Sequence, residues 1–504
     1  MDSKISPVFS SLNGPLKLPK SVADPGILVG WSMEMEHARH PIGFSFGDTP
    51  GVIAPDVIDP ILLEDEGHLI TVAPTGAGKG VSAIIPTLLR YKGPIIVIDP
   101  KGENVAVTAR ARKEMGHKVI VIDPMNITDF DSDSFNPLAE INPLMMGATE
   151  QIGNILTSLF SSHKSTGDNY FWKSQGQLLV RMCILHVLST DKHEKTLAEV
   201  RDTLLQVMDV KGILNTKLPS SNNQEVRNYF LNLPSEADST WQGIVSFALD
   251  GLAFVNGPEV NEVLNQSTFT LEEVTRGEPI SIYIVVPPAL LETLSPLLRL
   301  WISCLFQAIS RRKRRPELAT LFILDEAAQL GELPQLRQAM TLMRGYGLRT
   351  WSFWQDMSQL QSNYKNDWQT MINNAKVFQA FGANNVMAAR SISEVVGFTS
   401  EKGRELIDLD TDEMILQIAG DEAVIARKPN YLTDPVFEGL YDENPLYETS
   451  GNVMPDVGKI HSFYKRPSRN SVQESLNEIG VDFDRRQSIS RKIANALHKH
   501  NKDS

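Results

Sequence analysis

Hydrophobic and polar positions along this chain alternate between two periods. GHLITVA, from Gly67 to Ala73, is a continuous apolar run that predicts a strand buried on both faces, and VSAIIPTLLRY predicts the helix that follows it. PIIVIDPKGEN is a second buried strand, ENVAVTARARKEMG a helix stopped by Gly116, and HKVIVIDP a third strand. Such a β-α-β-α-β series opens a doubly wound parallel sheet. From about Met125 to Thr268 the pattern turns helical, in NYFWKSQGQLLVRMCILHVLS, TLAEVRDTLLQVM, NQEVRNYFLNL and STWQGIVSFALDGL. The α/β pattern then returns: the strand PISIYIVVPP, the basic-ended helix LSPLLRLWISCLFQAISRRKRR, and strands at TLFILDE, LRTWSFW, AKVFQAFG and EMILQIAG. Before this framework the chain is rich in Pro and Gly, with short strands expected at Ile27–Trp31 and Ile42–Phe46. After Tyr441 it becomes polar, ending in an amphipathic segment with Ile489, Ile493 and Leu497 on one face.

The fold class is therefore α/β, a nucleotide-binding sheet domain with an inserted all-α domain. The expected boundaries are an N-terminal extension over 1–60, the sheet domain over 61–125 and 269–440, the helical insertion over 126–268, and a polar tail over 441–504. A chain of 504 residues, 42% hydrophobic and 22% charged, is long enough for such domains to have their own cores. Its formal net charge of −13 excludes a general polyanion binder and requires a local patch for any phosphate contact. The densest patch, Arg311-Arg312-Lys313-Arg314-Arg315, reads either as a phosphate or lipid-headgroup contact or as a solvated helix end. Cys183 and Cys304 fall in apolar helical patterns and read as buried thiols, with neither disulfide nor metal-ligand spacing, which fits a reducing compartment. No signal-peptide core and no run of ~20 apolar residues is present, so the expected location is cytoplasmic.

Candidate chemistry begins where the first buried strand ends. Pro74, Thr75, Gly76, Ala77, Gly78, Lys79, Gly80 and Val81 lie between a strand and a helix, where backbone N–H groups, a lysine and a helix N-terminus cradle phosphates. Gly76 and Gly78 permit the backbone approach that a side chain would obstruct. Gly80 stands where a P-loop usually carries a magnesium-binding hydroxyl, and Ser82 lies far along the helix for a substitute. LFILDE is an apolar strand ending in Asp325 and Glu326: Asp325 would hold the metal and Glu326 would polarise a water, although acids also end strands merely solvated.

APTGAGKGVSAIIPTLL, then DPKGEN, YFW in a helical insertion, LDEAAQLGELPQL and RGYGLRTWSFWQDMSQLQ, taken in that order, resemble the TraG-like coupling proteins of type IV secretion, within the HerA–FtsK group of RecA-like ring ATPases. In that family Gly commonly follows the loop lysine. The resemblance implies an ATPase using ATP and Mg2+, with Lys79 on the β- and γ-phosphates, Gln355 sensing the γ-phosphate and Arg344 as an arginine finger reaching the next subunit of a hexameric ring. It implies that Asp99, Lys101, Gly102 and Glu103 line the site or a subunit interface, with a plain turn as the alternative. It further implies type IV secretion components as partners, and relaxase–DNA complexes or effector proteins as cargo recognised by the helical insertion. Tyr170, Phe171 and Trp172 in that insertion read as core anchors rather than base-stacking platforms, and the basic tail (Lys465, Arg466, Arg469, Arg485, Arg486, Arg491, Lys492) as a cargo or adaptor contact or an unpartnered tail. The transmembrane anchor typical of the family is not evident, so membrane contact is expected only through a partner. A soluble DNA translocase without a secretion partner, and a cargo adaptor with little turnover, are the competing readings.

Overall fold

The computed structural model describes residues 18–22, 26–33, 58–64, 67–160, 169–191, 195–208, 216–232, 238–399, 403 and 406–448. Its strands are β1 (Ile27–Ser32), β2 (Pro60–Leu63), β3 (His68–Val72), β4 (Ile95–Asp99), β5 (Lys118–Ile122), β6 (Ile280–Val285), β7 (Thr320–Leu324), β8 (Leu348–Trp354), β9 (Ala375–Ala380), β10 (Glu413–Ile418) and β11 (Val424–Arg427). They form one 11-stranded sheet in the order β2-β1-β11-β10-β9-β3-β8-β7-β4-β6-β5. From β9 to β5 every pairing is parallel, and from β10 to β2 every pairing is antiparallel.

The parallel strands are apolar throughout because both of their faces are covered. Along β4, Ile96 and Ile98 enter the core shared with the helix Ser295–Ser310 and the inserted helices, whereas Ile95 and Val97 enter the core under Ile85–Arg90 and Glu103–Glu114. Side chains on a strand alternate between faces, so one β-branched run serves two layers.

Between β5 and β6 the chain forms the helices Ala148–Leu159, Asn169–Leu188, Leu197–Gln206, Gln224–Leu231, Asp238–Asp250, Pro258–Asn265 and Leu271–Arg276. Their starts follow local sequence. Thr196 accepts from the Glu199 N–H, Asn223 from the N–H groups of Glu225 and Val226, and Thr270 forms a capping box with Glu273. The helical layer is tied to the sheet through Ser295–Ser310, where Ser158 Oγ meets Ser303 Oγ at 2.8 Å and the Trp301 indole donates to the Phe135 carbonyl at 3.1 Å. Cys183 and Cys304 are buried free thiols.

Several elements differ from the pattern-based expectation. β2 and β11 are four-residue strands with no strong periodicity, and β1, expected in an N-terminal extension, is built into the sheet between them. The basic-ended helix stops at Ser310, before the basic run. Arg312 is buried, and its guanidinium donates to the carbonyls of Val274, Thr275, Tyr346 and Gly347 and to Thr320 Oγ1, so it is neither a solvated helix end nor a free phosphate contact. Tyr170 and Phe171 are exposed rather than core anchors; Trp172 alone of the three packs inward, against Gly243. Ile42–Phe46, the amphipathic segment at 489–497 and the basic tail lie outside the described residues. Among the described residues no helix is long and apolar enough to cross a membrane.

Candidate nucleotide site

In a parallel sheet all strand C-termini lie along one edge, and the loops leaving that edge are the ones able to build a site. β8 lies between β3 and β7, with Val72 paired to Trp354 and Leu324 to Ser352. The three segments that leave these adjacent strands carry Lys79, Gln355 and the Asp325-Glu326 pair. Sheet order thus gathers residues separated by up to 276 positions in sequence, from Lys79 to Gln355.

The loop after β3 is anchored at its base by the Ala73 N–H on the Trp354 carbonyl (2.8 Å) and turns through the Ala77 N–H on the Pro74 carbonyl (3.0 Å). Gly76 and Gly78 have φ of +80° and +85°, a region L side chains rarely occupy. A Cβ at Gly76 would meet nothing within 4 Å, so the loop faces open space of the kind a phosphate chain needs. The helix behind it opens with a π turn, Gly80–Ile84, and continues as Ile85–Arg90. The Ser82 hydroxyl is buried beneath the loop, 3.5 Å from where a Gly78 Cβ would stand.

Lys79 projects into a pair of acids. Its ammonium is 2.9 Å from Asp325 Oδ1 and also hydrogen-bonded to Glu326 Oε1, and the Gln355 amide donates to Glu326 Oε2 at 3.1 Å. Burial works against the Lys79 ammonium, yet the two carboxylates outweigh it and hold its pKa above the ordinary lysine value. Burial pushes the Asp325 carboxyl above the usual range, with Lys79 opposing the shift. Glu326 occupies the left-handed region, at φ +60° and ψ +47°, which is strained for a residue with a side chain. Asn363 and Arg299 brace the turn behind it by donating to the Ala328 and Leu330 carbonyls.

The donor set suits a hard divalent cation only in part. Asp325 is a largely buried carboxylate, its side chain 15% exposed, and among the described residues no group of three His, Cys, Asp or Glu is placed to hold a metal ion. A magnesium shell at Asp325 would need phosphate oxygens and water for its remaining positions, which is how this ion is commonly bound in nucleotide sites.

Arg344 is not brought to this cluster. It is exposed in the turn Arg344–Tyr346 that precedes β8, at the edge of the sheet opposite Gln355. Asp99 ends β4, the strand beside β7: it is buried, accepts from the Val105 N–H (2.9 Å) and Asn104 Nδ2 (3.1 Å), and is pushed by burial to a pKa of about 7, with the charge of Asp325 adding to the shift. Gly102 takes a left-handed φ of +71°, Lys101 pairs with Glu103 at 3.4 Å, and Glu103 accepts from Asn444. One loop contact has no sequence signal at all. Lys428, a lone lysine just past β11, donates from Nζ to the Ala77 carbonyl at 3.1 Å.

A model of the family described as Type IV secretory system Conjugative DNA transfer matches residues 47–404. The conjugal transfer protein TraG of Escherichia coli is 26% identical over 441 residues, covering 74% of this chain and 68% of the relative. The protein VirD4 of Rhizobium radiobacter is 28% identical over 446 residues, covering 82% of this chain and 63% of the relative. Among solved structures, the conjugative coupling protein TrwBdeltaN70 with sulphate superposes with a TM-score of 0.55 at 17% identity, over 72% of this chain and 86% of that one. The plasmid coupling protein TrwB in complex with ADP and Mg2+ gives the same TM-score, identity and coverage. At that identity the likeness establishes a shared fold.

Proposed function

This chain belongs to the type IV secretory system conjugative DNA transfer family, the coupling proteins of conjugation, and from that premise we propose that it is an ATP-driven motor delivering cargo to a secretion channel. The observation that carries the reading is the convergence of Lys79, Asp325, Glu326 and Gln355 on an open glycine loop. Structures of the TrwB relative in complex with ADP and Mg2+ and with an ATP analogue support a nucleotide in that loop.

In this reading the backbone N–H groups from Thr75 to Gly80 receive the phosphates, apart from that of Ala77, which stays on the Pro74 carbonyl, and Lys79 exchanges its carboxylate partners for phosphate oxygens. Asp325 would hold Mg2+, which supplies positive charge against the β- and γ-phosphates. Glu326, released from Lys79, accepts a proton from the attacking water, and Gln355 orients Glu326 through the amide hydrogen bond already in place. The resting ion pairs therefore keep Glu326 occupied until a nucleotide displaces it.

Arg344, at the opposite sheet edge, has no role at its own loop. It is assigned to the loop of a neighbouring copy, which requires a homo-oligomer, a hexameric ring by likeness to the family. Cargo would be relaxase–DNA complexes or effector proteins docking on the helical insertion, with DNA as a ligand of the ring. Membrane contact would run through type IV secretion components.

The test is nucleotide binding and turnover. Lys79→Ala abolishes binding, whereas Glu326→Gln keeps binding and lowers turnover by on the order of 10²-fold or more. Turnover that is unaffected by both substitutions would defeat the assignment.

A further inference from the structure

The segment that follows β11 reaches the phosphate loop, and nothing in the loop's sequence requires it. Lys428 is buried, with its backbone N–H on the Asp412 carbonyl (2.7 Å) and its ammonium on the Ala77 carbonyl (3.1 Å). The same ammonium stands 4.8 Å from the centre of the Phe381 ring. Three residues on, the Tyr431 N–H reaches the Val81 carbonyl at 3.3 Å, so the segment grips the loop's middle and the first turn of its helix.

A buried ammonium is costly unless it is held, and here a main-chain carbonyl and an aromatic face hold it. Ala77 lies between the two positive-φ glycines, where the backbone has least intrinsic preference to keep its shape. Holding the Ala77 carbonyl on Lys428 turns the Gly78 N–H of the same trans peptide plane the opposite way, away from Lys428. It also places a second positive charge behind a loop that must receive a polyanion.

We propose that Lys428 is a positioning residue of the nucleotide site: its buried ammonium, clamped between the Ala77 carbonyl and the Phe381 ring, holds the phosphate loop in its binding shape and favours the anionic ligand. This rests on the nucleotide-site reading above and deepens it.

Burial lowers the Lys428 pKa to about 8, with Asp412 opposing the shift. Asp412 is shared with Arg427, 3.7 Å away, and Arg427 also faces Asp434 at 3.9 Å. The loop contributes Lys79, and the segment from Phe381 to Asn385 contributes no ionisable group. The clamp therefore loses its charge just above neutral pH, where ADP itself no longer titrates.

The experiment is equilibrium binding of a fluorescent ADP to the full chain with Mg2+, from about pH 7 to about pH 9.5, alongside thermal unfolding at each pH. Wild-type affinity is expected to fall by about tenfold across this range, Lys428→Arg to stay flat at the wild-type neutral value, and Lys428→Met to be about tenfold weaker at neutral pH and flat. Asp412→Asn leaves Lys428 in place and is expected to move the midpoint to lower pH, which decides the matter should Lys428→Met fold poorly. Binding that is lost in Lys79→Ala but keeps wild-type strength and pH profile in Lys428→Met, or a midpoint unmoved by Asp412→Asn, overturns the role of Lys428 alone. Absence of binding by the wild type overturns it together with the nucleotide site.

Discussion

At the start of β3, His68 is held neutral by what it bonds. Its Nδ1 accepts the Thr350 N–H at 3.1 Å and lies 2.9 Å from Thr350 Oγ1, an arrangement a protonated Nδ1 could not keep. Burial, and then the charges of Arg344 and Arg349, lower its pKa to about 4. Because the folded-state value lies below the unfolded value, the unfolded chain binds the extra proton between them. Stability from this residue is fully present above about pH 6.5 and is lost as pH falls toward about 4. His68→Asn, whose amide oxygen can take the place of Nδ1, is expected to flatten the fall in thermal midpoint over that window. An unchanged acid limb would show that His68 carries none of it. Lys79 behaves differently: its partners are Asp325 and Glu326, and in the proposed function it exchanges them for phosphate oxygens rather than keeping them.

The elements show the same division between what local pattern dictates and what only the assembled fold reveals. Arg312 ties the end of the helix Ser295–Ser310 to the turn before β8 and to β7 through five acceptors. Arg312→Met, which strands those buried acceptors, is expected to cost about 3 kcal/mol in denaturant unfolding, against at most about 0.5 kcal/mol for the exposed Arg314→Ala. Equal effects would contradict the structural role. In sequence, one run of five cations gives no sign that its second member turns inward, because the acceptors lie at Val274 and Gly347, far along the chain. The parallel strands β3, β4, β6, β7 and β8 are legible because double burial demands continuous apolar runs. β2 (PILL) and β11 (VIAR) are not, because four residues carry too little period and β11 pairs with β1 nearly 400 positions earlier. The glycine loop and the acids of β7 are legible as strand-end chemistry, and Gln355 joins them because its strand lies between theirs. Lys428 is invisible in sequence, since its meaning depends on the segment after β11 reaching the loop.

For the molecule as a whole, the central feature is that each chain places its loop at one edge of the sheet and Arg344 at the other. A single chain thus holds Lys79, Asp325, Glu326 and Gln355 together with Arg344 away from them, and the proposal above gives that guanidinium to another copy. With a formal net charge of −13, copies repel one another at long range, so assembly is expected to strengthen as salt screens that repulsion. The most direct measurement of catalysis across copies is ATP turnover by mixed variants. Arg344→Ala keeps its own loop and acids; Glu326→Gln keeps its arginine. Each alone is expected to bind nucleotide and turn it over at on the order of a hundredth of the wild-type rate or less. Mixed and allowed to assemble, the pair should recover turnover, because an intact arginine then meets an intact acid at some of the boundaries between copies. A mixture as inactive as its components, with both binding nucleotide and co-assembling, would contradict a site completed by its neighbour.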